Sequence, residues 1–536
     1  MKNILLITCL VLMVMILACQ KPIQKTFINP ILPGFFPDPS ICMVGDDFYM
    51  VNSTFEYFPG VPVHHSKDLV HWELIGYCLT RESQLPLKNR RASGGIYAPT
   101  IRYHNGLFYM ITTNVDGGGN FYVTSEDPAG PWSEPVWIDP GDIDPSLFFD
   151  DDGTVYYIRH VGGGDGYIGQ RILNLETGEL EGEMEKIWGG TGGQWAEGPH
   201  MYKIDGTYYL MISEGGTSYG HMVTVARSDS PWGPFESNPN NPILTHRHLD
   251  DNPIRAVGHA DIVKTSDGWW MVCLAIRPQG GPYHHIGRET YLVPFEFDEN
   301  GWPVVNKNQP IEFEMTAPRL KQHVWEDDPA RDEFNESAFA LYWNYLRNPK
   351  MDDYSLTDRP DFLRLSGSAI SLSDQDSPTF IGRRQTDLNC HVAAIVEFDP
   401  KSENEEAGLT ALQNDKYHYD VGITFKENQR QVFFRKVVDS QIVEPIRYVP
   451  IESGPIRLTV KASPLSYEFS CIPPDGKEVV LGTALTKDLS VERIGFKDGM
   501  CFTGVYFGLY ATGNGHPCSN PADFDWFEYK GMDKKN

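Results

Sequence analysis

Residues Asp205–Met211 read "DGTYYLM": a turn signal, then aromatic rings, then apolar side chains. A turn dipeptide feeding β-forming residues marks the return strand of a tight hairpin. The phrase recurs as "GDDFYMV" from Gly45, "NGLFYMI" from Asn105, "DGTVYYI" from Asp152 and "DGWWMV" from Asp267, at intervals of roughly 47 to 62 residues. A second phrase follows several of these: "HSKDLVHW" from His65, "TSEDPAGPW" from Thr124 and "ARSDSPWGPF" from Ala226. One unit is therefore about four strands with a turn-rich outer edge. Helical periods are few between Thr26 and Pro318. Five mostly-strand units of this size predict a five-bladed β-propeller. A two-sheet sandwich is the competing fold, but sandwiches rarely repeat one phrase at blade-like spacing.

The equivalent ring of each phrase is Tyr49, Tyr109, Tyr156, Tyr209 and Trp270. Eleven or twelve residues before these stand Asp38, Tyr97, Asp144, Glu197 and His259. A bulge absorbs a drift of one residue. Equal phase in five blades places these side chains around one central funnel. A single acid at a strand end reads as a turn cap; three carboxylates in one register do not.

Acids brought close together cannot all ionise cheaply, so one keeps its proton near neutral pH. Glycoside hydrolysis needs that asymmetry: one carboxyl protonates the leaving oxygen and another serves as base or nucleophile. Rings near these segments (Phe36, Phe55, Tyr97 and Trp195) suit the apolar faces of a sugar. Calcium is the rival for a carboxylate cluster. It takes six to eight oxygens, usually several from one loop, whereas here the acids come one per blade. "DDDG" from Asp150 occupies the repeat's turn position and reads as a solvated turn.

The 536 residues carry a formal net charge of -27, with 50 glycines and 39 prolines. This is an ordered, turn-rich globular composition. The acidic balance argues against nucleic acid as a partner. The chain opens on Lys2 and an apolar run from Ile4 to Ala18 broken by Thr8, which reads as a signal-peptide core. The run ends "ILAC", resembling a bacterial lipoprotein signal. That resemblance implies cleavage before Cys19, lipid attachment there and a place in the cell envelope, periplasmic or on the outer-membrane surface. Ordinary secretion is the alternative. Seven further cysteines are scattered, with neither CxxC pairs nor zinc-like spacing.

Beyond Arg319 the charge-rich "EDDPARDEFNE" reads as a linker, and the repeat phrase stops. Alternating segments such as "HVAAIVEFD", "DVGITFKEN" and "YFGLYATG" then predict a β-sandwich. The expected division is a signal peptide over 1–18, a tether over 19–26, the propeller over 27–320, a linker over 321–336 and the sandwich over 337–536.

Taken in order, "NPILPGFFPDPSIC", "DDFYMVNSTFEYFPGVPVHHSKDLVHW", "SGGIYAPT", "DIDPSLFFDDDG", "EGPHMYKIDGTYYLMISEGGTSYGHMVTVARS" and "GRETYLVPFEF" resemble glycoside hydrolase family 43. The branch is the β-xylosidase/α-L-arabinofuranosidase group with a C-terminal lectin-like (concanavalin-like) sandwich. The resemblance implies an exo-acting, inverting enzyme. It would remove terminal β-D-xylosyl or α-L-arabinofuranosyl residues from xylan, arabinoxylan or xyloglucan oligosaccharides. Asp38 would be the general base, Glu197 the general acid and Asp144 the residue that raises and orients the acid. Arg288 would bind sugar hydroxyls, and Phe55, Tyr97 and Phe502 would form pocket walls, Phe502 reaching over from the sandwich. His259 matches a channel histidine, often near a structural calcium; catalysis itself calls for no cofactor. Some close relatives have tryptophan in place of Tyr97 and a smaller polar residue in place of Phe36, which leaves the choice of pentose open. Retaining fructan hydrolases would need an Arg-Asp-Pro segment and a Glu-Cys motif; neither is present. A non-catalytic glycan-binding lipoprotein is the alternative from another class.

Overall fold

A computed structural model describes residues 25–495 and 501–536. The signal segment, Cys19 and nearly all of the tether lie outside the described residues. The structure is almost entirely β, in two bodies: a five-bladed propeller and a two-sheet sandwich.

The blades follow one another along the chain, each a run of antiparallel neighbours. Their innermost strands are Ser40–Val44, Thr100–His104, Ser146–Phe149, Glu197–Ile204 and Arg255–Thr265, and each contacts the next until the fifth meets the first. The repeated phrase forms the second strand of every blade. Two-residue loops join His104 to Leu107 and Ile204 to Thr207. Asn105–Gly106 and Asp205–Gly206 have positive φ at both positions, as a type I′ turn requires. Blade three uses a longer turn between Phe149 and Val155. There Asp150 departs from its expected solvated state. It is buried, accepting hydrogen bonds from Lys203 Nζ and Tyr208 Oη, both at 2.7 Å, because the next blade covers the turn.

The phrase is aromatic because its rings join blades. Tyr49 meets Phe108 at 5.0 Å, Tyr109 meets Phe149 at 5.2 Å, Phe148 meets Tyr208 at 6.0 Å and Tyr209 meets Phe297 at 5.4 Å between centroids. Each pair bridges two successive blades and contains at least one ring of the phrase.

The axis below the funnel holds charge. Asp261, fully buried on blade five, accepts from Arg102 of blade two (2.8 Å), Ser40 of blade one (2.7 Å) and Tyr202 of blade four (2.5 Å). Arg102 also reaches His200 Nδ1 at 2.8 Å. Burial alone would raise the Asp261 carboxyl, but Arg102, His200 and these hydrogen bonds hold it far below the usual range. The ring is sealed where Thr26–Ile28 pairs with Glu314–Thr316 and Asn29 hydrogen-bonds both backbone groups of Leu292.

The sandwich packs one sheet built around Ala522–Gly531 and Cys390–Glu397 on another around Glu406–Asn414 and Tyr506–Thr512. Arg331–Asp332, inside the expected linker, pairs with Phe527 and Glu528. Blade one also supplies Tyr57–Phe58 as the edge strand of the second sheet, paired with Tyr345 and Leu346. Tyr57 stacks on Tyr506 at 4.0 Å, and Phe35, Phe55, Phe380 and Tyr510 complete a shared core. All seven described cysteines are free thiols.

Candidate active site

Asp38, Tyr97, Asp144, Glu197 and His259 each precede, by four or five residues, the cross-strand partner of their blade's phrase ring: Cys42, Arg102, Phe148, Tyr202 and Val263. The phase expected from the sequence therefore holds in the strand register. Asp38, Asp144 and His259 sit at positive φ, 53°, 58° and 46°. Such backbone costs about 1–3 kcal/mol per residue and clusters where function fixes a side chain. Pro39 and Pro145 follow the two aspartates and stiffen the entry to the strand.

Asp38 is buried and fully engaged. Arg288 donates to both its oxygens, Nη1 to Oδ1 at 2.8 Å and Nη2 to Oδ2 at 3.3 Å, and Ser53 Oγ donates at 2.6 Å. His259 Nδ1 stands 3.9 Å from Oδ1. Burial would raise the Asp38 carboxyl, but Arg288, His259, Ser53 and His221 hold it below the usual carboxylate range. Asp144 accepts from Gly198 N at 3.0 Å, the amide just after Glu197. Its carboxyl is raised, by burial first and by the Asp38 charge, against His259 and His160. Glu197 makes no side-chain hydrogen bond among the described residues. Its carboxyl is pushed well above the ordinary value by burial, then by Asp144 and Asp38, with only Arg288 opposing. The three carboxyls of one funnel thus differ in degree: Asp38 is lowered, Asp144 is raised, and Glu197 is raised well above its ordinary value by burial and by the charges of the other two.

The backbone around Glu197 is tightly specified. Gly198 has φ 58°, and a Cβ there would lie 3.0 Å from the His259 ring. His259 N in turn donates to Ser213 Oγ at 2.6 Å. The loop before the acid is clamped by buried Glu214. Its oxygens accept from Thr191 N and Gly193 N at 2.8–3.0 Å, from Thr191 Oγ1 at 3.0 Å and from Thr224 Oγ1 at 2.6 Å. Trp195 is half-buried, its amide donating to Gly164 O at 2.8 Å and its ring 5.9 Å from His160.

An aromatic wall closes one side. Phe55 meets Tyr97 at 5.2 Å and Phe502 at 5.4 Å, and Tyr97 meets Phe502 at 5.7 Å. The Arg288 guanidinium lies 5.6 Å from the Phe55 ring and 5.2 Å from Phe502, and its Nε is buried without a partner. Phe502 comes from the sandwich, its amide held by Ser93 Oγ at 2.8 Å. The structure therefore brings together Asp38, Asp144, Glu197, His259, Arg288, Phe55, Tyr97 and Phe502. Phe36 stands apart: its ring meets His64 at 5.1 Å and lies under Arg384 at 4.6 Å, and it is Phe35 that packs on Phe55. Sequence reasoning missed Ser53, Thr217 (which accepts from Arg288 Nη1 at 3.0 Å), His221 and Glu214. None repeats from blade to blade, so no phase marks them.

Calcium finds no ready donor set beside His259. Asp38 is committed to Arg288 and Ser53, the axis below is filled by the Arg102–Asp261 pair, and no group of three metal-ligating side chains occurs among the described residues.

Comparison with known proteins gives a consistent result. The profile of glycosyl hydrolases family 43 matches residues 27–303, and that of the beta xylosidase C-terminal concanavalin A-like domain matches 331–530. The non-reducing end alpha-L-arabinofuranosidase BoGH43B of Bacteroides ovatus is 47% identical over 541 residues, covering 99% of this chain and 100% of its own. A xylosidase/arabinosidase of Butyrivibrio fibrisolvens is 41% identical, covering 93% and 98%. The solved structure of the Bacteroides ovatus xyloglucan PUL GH43B superposes with a TM-score of 0.91 at 47% identity, over 95% of this chain and 100% of that one.

Proposed function

The chain belongs to glycosyl hydrolases family 43, and from that footing we propose that it is an exo-acting, inverting glycosidase releasing terminal α-L-arabinofuranosyl or β-D-xylosyl residues from hemicellulose oligosaccharides. The observation that carries the mechanism is the division of protonation among the three carboxyls of the funnel. Asp38 stays ionised and takes a proton from water as the water attacks the anomeric carbon. Glu197 stays protonated and gives its proton to the departing glycosidic oxygen. Asp144 keeps the acid's affinity for its proton high and fixes the peptide that follows it. The unpartnered Nε of Arg288 supplies a donor for a sugar hydroxyl, and Phe55, Tyr97 and Phe502 supply an apolar wall. The 47% identity to an arabinofuranosidase favours α-L-arabinofuranose as the preferred sugar. Lipid attachment at Cys19, holding the enzyme at the cell envelope, is part of the same proposal and is checked by labelling cells with a radioactive fatty acid.

The decisive experiment offers aryl α-L-arabinofuranoside and aryl β-D-xyloside and follows the product anomer by NMR. The expected result is aryl alcohol release with inverted configuration, faster from the arabinofuranoside. No release from either substrate, as a glycan-binding protein would give, overturns the proposal.

A further inference from the structure

The sandwich contains a cavity of about 200 Å³ whose wall includes Ser373, His418 and Tyr510. None of these belongs to the propeller site. His418 and Asp420 are two residues apart on the strand Tyr417–Lys426 and so share a face. His418 Nδ1 lies 2.8 and 2.9 Å from the two Asp420 oxygens, and its Nε2 lies 2.9 Å from Ser373 Oγ. Burial would raise the Asp420 carboxyl, but His418, Arg435 and Thr410 hold it down to about 2. The remaining approaches to Asp420 are filled: Arg435 Nε donates at 3.0 Å and Thr410 Oγ1 at 2.8 Å.

An ionised carboxylate on Nδ1 fixes the imidazole tautomer. Nδ1 carries the proton, and Nε2 offers its lone pair to the serine hydroxyl. His418 is 1% exposed, whereas Ser373 stands exposed at the rim. A nucleophile hydrogen-bonded to a base that a carboxylate orients is the activated arrangement of acyl transfer.

We propose that Ser373, His418 and Asp420 form a second hydrolytic centre, acting on small carboxylic esters of sugar hydroxyls. Ser373 Oγ attacks the ester carbonyl carbon while its proton passes to His418 Nε2. The carbon–oxygen bond to the sugar breaks, and the sugar oxygen takes the proton from His418. Water then repeats the sequence on the acyl-serine, freeing the acid and restoring the hydroxyl; water is the only co-reactant. The cavity lies below the roughly 300–1,000 Å³ of sites for drug-sized ligands, so an acetyl-sized acyl group fits and the sugar remains outside.

The test uses the full chain and p-nitrophenyl acetate, with a fluorophosphonate probe read by peptide mass spectrometry. The wild type is expected to release p-nitrophenol and to carry the adduct on Ser373. Ser373→Ala, at an exposed position where folding is preserved, should release it at least about 100-fold more slowly with aryl arabinofuranoside turnover unchanged. Equal p-nitrophenol release by wild type and Ser373→Ala, or an unlabelled Ser373, overturns the proposal. Neither readout depends on the glycosidase assignment.

Discussion

At the scale of single residues, three acids sharing one funnel behave differently because their neighbours differ. Asp38 has a guanidinium and a hydroxyl on it; Glu197 has two other carboxylates nearby and no side-chain hydrogen bond among the described residues. Activity requires Asp38 ionised and Glu197 protonated, so the active window opens above the lowered Asp38 value and closes as pH rises through the raised Glu197 value. Asp144→Asn removes a negative charge that raises Glu197. The alkaline limb of kcat/KM against pH should therefore move to lower pH, while the acid limb moves little; an unmoved alkaline limb would contradict the role of Asp144. The three acids are legible in the sequence because each sits at one phase of a repeat. Ser53, Thr217 and Glu214 are not, since each contact is made once, across loops of unrelated spacing. Phe36 shows the opposite case: proximity to Asp38 in sequence suggests a pocket ring, but its ring packs on His64 and under Arg384, and Phe35 holds the contact with Phe55.

At the scale of elements, the hairpin phrase is readable because the same packing problem is solved at successive blade junctions. A ring on one blade's second strand must fill the gap to the next, so aromatic residues recur at one position. The sandwich is readable only as a class; alternation gives strands but not their order. The segment ending in Phe502 is the element that matters most to the site, because it brings a ring from the second body over Arg288 and against Tyr97. Phe502→Ala removes two ring contacts worth about 0.5–1.5 kcal/mol each. KM for an aryl arabinofuranoside should rise about tenfold with a smaller change in kcat. Equal KM values in steady-state assays would show that the ring only packs.

At the scale of the whole molecule, two devices hold the ring together. One is the seal between the first and last propeller strands; the other is the charged axis. Asp261→Ala would leave the half-buried Arg102 guanidinium without its carboxylate partner and free the hydroxyls of Ser40 and Tyr202. Removing one member of a buried pair costs about 3–5 kcal/mol. Denaturant unfolding should show a loss of that order, against little or no change for Lys350→Ala, whose ammonium is exposed to solvent.

Blade one gives the strand Tyr57–Phe58 to the sandwich, and the two bodies share a core of rings at that seam. The peptide joining them is therefore not what keeps them together. Arg319 and Lys321 lie exposed in that connection. Trypsin should nick it and yield two fragments on a denaturing gel that still elute as one particle under native conditions. The two halves would then behave as subunits of a complex that happens to be translated as one polypeptide, and expressing them from separate genes should reconstitute the enzyme.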